Sequence, residues 1–571
     1  MKKTILYLLL CLFVAPTAFA GDDAKKKDWG HLAGSLESTN HFYVEDAANN
    51  FYPSMQPQLK DGNRIASNDY LKLDYYKDRL YAGMQLEGYF PSLVGYPVSE
   101  SVMSLSNLYV SWRDKSYSVT AGTFYEQLGS GLLFRSWEDR MLGLNNAMLG
   151  ARATYNFNDL LAVRAFWGIP RLGKVNDNAS LMGFERKFFG LGLADGVNVA
   201  AADFSLALSN LIGMDAASLY LEGSLLNKHE QAREALVAAG CRTNNLGWSG
   251  RVNFDMDGFF VKGEYVNAGK QILNVADVLY GGKIENGNAQ LVEFGYNGRG
   301  LGLTVTGRRM DRMNQKIYTY TDSHLGYSSA ANMLSYRPAM CTQYTYMLTT
   351  LNPYSCEIGD KVIRAGEMGG QIDAFYNFRR GTKLGGKRGM KVHANFSTYY
   401  GLDSEGKFSA DDFLFRDFSF DVEKQWTKKF KSVLLYSLQD YNSINTSNGQ
   451  YIGLSHVVVA DLLYKWTPTV STRMELQYLS TKEAQGDWLA GLFEFNLAPH
   501  WSVFASDMWN HGNIEESMRL HYYNAGLSFT IEHLRISAGY GRYKAGFICS
   551  GGVCRAIPAY TGANLSLTAS F

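Results

Sequence analysis

Tyr560-Thr561-Gly562-Ala563-Asn564-Leu565-Ser566-Leu567-Thr568-Ala569-Ser570-Phe571 is the stretch on which the fold turns. In an extended strand, Thr561, Ala563, Leu565, Leu567 and Ala569 share one face. Gly562, Asn564, Ser566, Thr568 and Ser570 share the other, so an apolar side opposes a polar one. The same alternation recurs upstream. Val392, Ala394 and Phe396 oppose Lys391, His393 and Asn395, and Ile372, Ala374, Tyr376 and Phe378 oppose Gln371, Asp373 and Asn377. Met474, Leu476 and Tyr478 oppose Arg473, Glu475 and Gln477, and Leu108, Val110 and Trp112 oppose Asn107, Tyr109 and Ser111. A soluble sandwich alternates in the same way, so the connections between strands must decide.

Transmembrane barrels join strands by short periplasmic turns and longer outer loops. The terminal strand with its final aromatic Phe571 resembles the closing strand of bacterial outer-membrane barrels, where that aromatic is an assembly signal. With Phe571 in the periplasm, inner turns fall near Ile531, Pro499, 466–467, 425–428, Asn297-Gly298, Asp257-Gly258, Phe157-Asn158, Arg113-Asp114 and Lys77-Asp78. Outer segments fall at 546–557, 512–517, 481–485, 442–449, 401–410, 310–365, 269–286, 227–246, 169–193, 125–145, 91–103 and 45–66. Long and short alternate almost throughout. The exception is 379–387, a longer inner connection, and 194–211 must be one strand for the parity to hold. The expected fold is all-β: a single large antiparallel transmembrane barrel of about 24 strands, with 22–26 as the range, an even number as in bacterial single-chain barrels.

Composition agrees. Charged residues are 19%, below the ~25% of soluble domains. The 37 Tyr and 32 Phe suit interfacial girdles, and 57 Gly against 11 Pro suit many strands and turns. A net charge of +1 gives no electrostatic footing for nucleic acid. Met1–Ala20 reads as a secretory signal peptide: Lys2 and Lys3, an apolar core from Ile5 to Val14, and Ala18-Phe19-Ala20 as cleavage site. Residues 21–28 form a short periplasmic N-terminus, and the barrel spans 29–571. A first strand near Trp29 leaves no room for an N-terminal plug, which argues against a transporter of the TonB-dependent kind. The expected location is the outer membrane. Expected partners are its lipids, lipopolysaccharide included, the barrel-assembly machinery, and an unidentified solute or protein.

Two regions carry candidate function. Residues 122–140 mix glycine, aromatics and opposed charges, with Glu126, Arg135, Glu138, Asp139 and Arg140 in one outer segment. An inward-folded loop of this kind sets up a transverse field that sorts solutes by charge. Inward wall positions Gln371, Asp373, Lys391, His393 and Asn395 would line the pore. The long segment 310–365 is tyrosine-rich, which argues against disorder and for folding over or into the barrel mouth. Cysteines left after processing fall in outer segments, a compartment that permits disulfides. Cys549 with Cys554, and Cys341 with Cys356, are the plausible pairs, leaving Cys241. Neither spacing suits zinc, and neither cofactor nor metal is expected. Residues 229–239 have helix-forming composition with Gly240 as a stop. Arg379, Arg380, Lys383, Lys387, Arg388 and Lys391 cluster at an inner turn.

No nucleophile elbow, His-Glu-x-x-His or phosphate loop is present in the sequence, so an enzyme is not expected. Three stretches resemble a family of uncharacterised outer-membrane barrels from Bacteroidota, a domain of unknown function. They are Gly122-Thr123-Phe124-Tyr125-Glu126-Gln127 with the following Gly-x-Gly and Arg135; Tyr336-Arg337-Pro338-Ala339 with Asn352-Pro353-Tyr354; and Gly366-Glu367-Met368-Gly369 with Leu384-Gly385-Gly386-Lys387. Cys341 and Cys356 lie outside that pattern. The resemblance implies barrel and membrane and brings no substrate. The sequence reading is thus a porin-like pore or transport channel for an unknown solute. The alternatives are a docking barrel binding a partner through its outer loops and, third, a barrel enzyme.

Overall fold

The computed structural model describes residues 29–96, 103–171, 185–186, 192–194, 196–231, 234–272, 284–313, 315–317, 334–339, 341–350, 366–403, 405–442, 452–482, 485–551 and 553–571. Residues 1–28, on which the expected signal peptide and periplasmic N-terminus fall, and Cys356 lie outside the described residues. Strand His31–Val44 pairs antiparallel with Ile65–Lys77 on one side and with Tyr560–Ser570 on the other. Between them every neighbour is antiparallel, so one 24-stranded sheet closes on itself.

The two faces sort as the alternation demands. Leu108, Val110, Val292, Phe294, Ile372, Val458, Leu476, Phe493, Val503 and Leu565 are exposed on the outer surface. Near the short turns, outward aromatics pair as Phe259–Tyr296, Tyr464–Trp466, Trp501–Phe529 and Tyr76–Tyr81. Toward the other rim lie Trp167, Trp248 and Trp509. An apolar band between aromatic girdles, with every strand edge paired, is the arrangement that hydrocarbon imposes on a β-protein. The chain is an outer-membrane barrel. No helix among the described residues is long and apolar enough to cross a membrane.

Turn chemistry fixes the short-turn end. Asp257-Gly258 has φ of 51° and 82°, the two left-handed residues of a tight hairpin. The turn expected at Asn297-Gly298 lies two residues on, at Arg299-Gly300 (φ 53° and 88°), because Gly298 is still paired with Leu301. A shift of two preserves which side chains face the lipid. The turn expected at 425–428 is 426–429, since Gln425 ends its strand. Within 194–211 the barrel wall takes one strand, Val197–Ala207, followed by the short helix Leu208–Ile212, while Ala194 belongs to a separate two-residue strand, so the parity stands on a shorter strand than expected. The helical loop segment is Glu234–Ala238, ahead of Gly240 at φ 94°.

Closure depends on the seam. Gly34 N donates to Phe571 O (2.8 Å) and Phe571 N to Gly34 O (3.0 Å). The Phe571 ring lies where a Cβ on Gly34 would stand. Above the seam, Arg542 grips Asp46 with Nε at 2.7 Å and Nη2 at 3.1 Å, and Thr561 Oγ1 donates to the same carboxylate at 2.7 Å. Asn49 donates to Tyr543 O and Tyr560 O, pinning the first outer loop across the join.

Gly34→Leu should displace the Phe571 ring and lower the folded fraction, read as the heat-modifiable band in electrophoresis. Gly250→Ala, where a Cβ meets nothing within 4 Å, should leave that fraction unchanged. Burial opposes ionisation of Asp46, but the hydrogen bonds from Arg542 and Thr561 outweigh it and hold the carboxyl below its ordinary 3.8. The latch therefore contributes fully above that ordinary value and is lost as pH falls through the lowered one. Pepsin cleavage within 47–63 should rise on acidification below 3.8 in the native chain, and Asp46→Asn should be susceptible at every pH tested.

Candidate functional site

The wall is low where strand Tyr117–Phe124, only eight residues long, meets Met148–Phe157. There the chain leaves the sheet at Tyr125 and folds into the lumen. Two small hairpins follow, Gln127–Leu128 with Phe134–Arg135 and Glu138–Asp139 with Leu144–Asn145. Gly129 and Gly131 make the first reversal at φ 55° and 95°. Both also lie against neighbours: a Cβ on Gly129 would overlap the Glu264 carboxylate, and one on Gly131 would stand 2.9 Å from Tyr336 Cβ. Leu128, Leu132, Leu133 and Phe134 are buried against inward Met148, Phe166, Val199, Leu226, Val266, Met310 and Phe415.

Residues 334–339 and 341–350 of a second outer segment also lie inside the barrel. Arg135 N donates to Leu334 O (3.0 Å), Tyr336 N to Gly131 O (2.8 Å), and Arg337 N to Gly551 O (2.8 Å). Arg555 Nε donates to Met141 O (2.8 Å). Backbone bonds thus knit three outer loops into one body inside the barrel. Parts of the three stretches that carry the family resemblance meet here, whereas 384–387 lies at the opposite rim and 352–354 lies outside the described residues. Gly131 joins Tyr336, and Arg308 donates to both Pro338 O (2.6 Å) and Glu367 (2.8 Å). The segment then descends along the far wall, where Leu348 packs with Leu435, Val457, Val459, Leu479 and Trp488.

Two further polar groups lie on the lower wall. Glu126 is buried between Arg152 (2.6 Å) and Arg164 (2.7 Å). Arg164 continues to Asp203 (2.8 Å), Asp203 to Arg251 (2.7 Å), and Arg251 to Glu222 (3.0 Å), a ladder of alternating charge across five neighbouring strands. On the other side His393 stands between Asp373 and Asp421, each carboxylate 2.7 Å from one ring nitrogen. Tyr344 of the inserted segment donates to Asp421 (2.7 Å), and Thr342 to Asp373 (3.3 Å). Tyr346 donates to Asp461 (3.3 Å), which Arg473 holds from the next strand at 3.0 Å. Burial pushes the Tyr344 and Tyr346 hydroxyls up, so both stay donors at any physiological pH.

The sequence-marked residues divide accordingly. Glu126, Glu138 and Arg140 bind loop to wall: Gln85 donates to Glu138 (2.7 Å), and Arg140 reaches Glu37 (2.5 Å). Arg135 stacks on Tyr336 at 4.0 Å, and Asp139 accepts from Leu142 N (3.0 Å) within its own turn. Asp373, His393 and Asn395 come together, with Asn395 donating to Asp373 (3.0 Å). Gln371 faces inward two residues along from Asp373, and Lys391 lies 5.1 Å over the Phe375 ring. Arg152, Arg164, Asp203 and Arg251 were missed. Their signal was a single charge at an inward position of each strand, between outward residues such as Ala151, Ala153, Ala165 and Ala202. Cys341 packs on the apolar cluster, where burial pushes its thiol up, and neither it nor Cys241 forms a disulfide among the described residues. Cys549 stands opposite Cys554 in a small outer hairpin. Among the described residues no group of three or more His, Cys, Asp or Glu could hold a metal.

Glu126→Gln should destabilise the barrel by roughly 3 kcal/mol, because it strands two partly buried guanidinium groups. The check is the unfolding midpoint of the purified protein in detergent. Adding Arg152→Gln to it should recover part of the loss, since the two changes share one interaction.

No curated protein matches the chain. Among solved structures it is similar to the siderophore receptor PirA from Pseudomonas aeruginosa, at 9% identity and TM-score 0.40, covering 96% of this chain and 81% of that one. It is similar to the E. coli P pilus tip assembly intermediate PapC-PapD-PapK-PapG, at 9% identity and TM-score 0.49, covering 96% of this chain and 62% of that one. It is also similar to a mutant porin of Rh. blastica, at 10% identity and TM-score 0.27, covering 58% and 93%. Likenesses at these scores bear no weight, and the barrel rests on its own closed ladder. A family model matches residues 1–571, and the chain belongs to that family, described as a family of unknown function (DUF6029).

Proposed function

We propose that this barrel is a transport channel held shut by its own outer loops and opened when they undock. One observation carries the reading: the lower lumen is walled with ionised side chains, not apolar ones. Burying ion pairs costs desolvation that well-packed apolar residues would avoid, so a permanently filled barrel has no need of them. The ladder from Arg152 to Glu222 and the group around His393 suit a lumen that is wetted in a second state. In that state the opposed charges would sort solutes, as expected of an eyelet. The solute is a small polar or charged molecule. Recognition of Phe571 by assembly machinery and contact with lipopolysaccharide at the outer rim belong to the same proposal, as do export by the signal peptide and a Bacteroidota source. No catalytic role is proposed.

A second reading, a closed docking barrel, draws on the apolar cluster that Leu128, Leu133 and Phe134 share with the wall. Conductance in a planar bilayer separates the two. The intact chain should pass little steady current. Replacing 126–146 with a short glycine linker should produce stable openings whose ion selectivity changes with Arg164→Gln. Tyr344→Phe combined with His393→Ala, which leaves the first loop in place, should raise the opening frequency. No current from any of these folded variants, or after removal of 334–350 as well, favours the docking barrel.

A further inference from the structure

Barrel strands need only tight inner turns, and most here are two to four residues long. The connection 379–389 is longer and has a fixed shape. Gly381 N donates to Gly386 O (2.7 Å), Gly386 N to Thr382 O (2.8 Å), Gly389 N to Gly385 O (2.9 Å), and Thr382 Oγ1 to Arg379 O (2.8 Å). It presents Arg379, Arg380, Lys383, Lys387 and Arg388, and the adjacent turn adds Lys428. None of these has a carboxylate within ion-pair distance among the described residues. Other inner turns mix the signs, as with Asp78 and Arg79 or Asp114 and Lys115, or carry an acid, as with Asp159, Asp257 and Glu532. Uncompensated positive charge is therefore concentrated at this turn and its neighbours, where Arg299 and Lys428 add to it.

The turn leans toward the lipid side. Phe420 is exposed on the outer face of Phe408–Gln425, and Lys424 shares its parity. Lys424 Nζ donates to Leu384 O (2.7 Å) and lies 5.1 Å over the Trp426 ring. Lys429 Nζ donates to Trp466 O (3.2 Å). Leu384, Trp426 and Trp466 are 56%, 54% and 55% exposed. Tryptophans at a strand end mark the membrane interface, and long cationic side chains reach from there to phosphate. An apolar tip beside the Trp426 ring, among cations with no carboxylate partner in the described residues, has the chemistry of an element lying in a headgroup layer.

We infer that the turn 379–389, with Lys428, is a binding site for anionic phospholipid headgroups of the periplasmic leaflet. The cations take the phosphate, and Leu384 rests at the acyl boundary. It holds lipid of one charge class against one sector of the barrel.

The full chain is reconstituted in vesicles of phosphatidylcholine and phosphatidylglycerol, re-extracted, and its retained lipid measured by mass spectrometry. Phosphatidylglycerol should be enriched about three- to tenfold over the bulk ratio, falling as salt rises. Replacing the five cations of 379–389 by Gln should return the ratio to bulk while the barrel stays heat-modifiable. Five lysines at the same positions should keep the enrichment. Bulk ratio in the native chain overturns the proposal, and so does enrichment that salt or the Gln variant leaves intact. In cells, a photoreactive group at Leu384 should form lipid adducts. A protein adduct lost in the Gln variant overturns the proposal in favour of an acidic periplasmic partner.

Discussion

Closure of the sheet between His31–Val44 and Tyr560–Ser570 is the constraint on which everything else depends. Hydrocarbon offers backbone groups no hydrogen-bond partners, so an unpaired strand edge there costs several kcal/mol per group. Only the join of the first and last strands removes both edges at once. The seam is accordingly reinforced at three levels: the ladder itself, the Phe571–Gly34 bonds at the periplasmic end, and the Asp46–Arg542–Thr561 latch at the outer end. A glycine at position 34 is part of that join, because the terminal ring occupies the room a side chain would take.

A closed barrel of this size creates a second problem, a wide lumen with no layer of its own to fill it. The chain solves it with its outer connections. The low wall at Tyr117–Phe124 lets one loop turn inward, and the body it forms with Tyr336 and Gly551 is anchored by apolar contacts above and by ion pairs below. Two kinds of attachment respond differently to change. Apolar contacts persist across salt and pH, whereas partly exposed ion pairs are screened and titrated. The lower attachment is thus the one that conditions in the lumen can weaken.

Lipid contact made the fold legible. Leu476 or Val110 faces hydrocarbon, so apolar character is enforced at every second position, and the alternation counts strands directly. Where that constraint weakens, so does the reading: the turn near Asn297 was placed two residues early, because asparagine and glycine suit a left-handed turn wherever they fall. The site was only half visible. Glu126, Asp373 and His393 stood out as charges in a glycine-rich loop or on an inward face. Their partners did not, because Tyr344 meets Asp421 across 77 residues and Asp46 meets Arg542 across 496. No local pattern records a pairing that only the curvature of the barrel brings about.

The uneven height of the wall has a consequence for the membrane. Tyr117–Phe124 has eight residues, whereas Ile65–Lys77 has 13 and Ile452–Lys465 has 14. At ~3.4 Å per residue and a tilt near 40°, the short strand spans only roughly 20 Å of bilayer, against the ~25 Å of a usual apolar band. Beside it, Ala153, Ala165, Ala202 and Gly223 line a lipid-facing hollow of about 800 Å³. Hydrophobic mismatch on one flank alone is relieved by thinning the bilayer there or by tilting the whole cylinder. The barrel is therefore an asymmetric inclusion, shortest on the flank from which its inward loop departs.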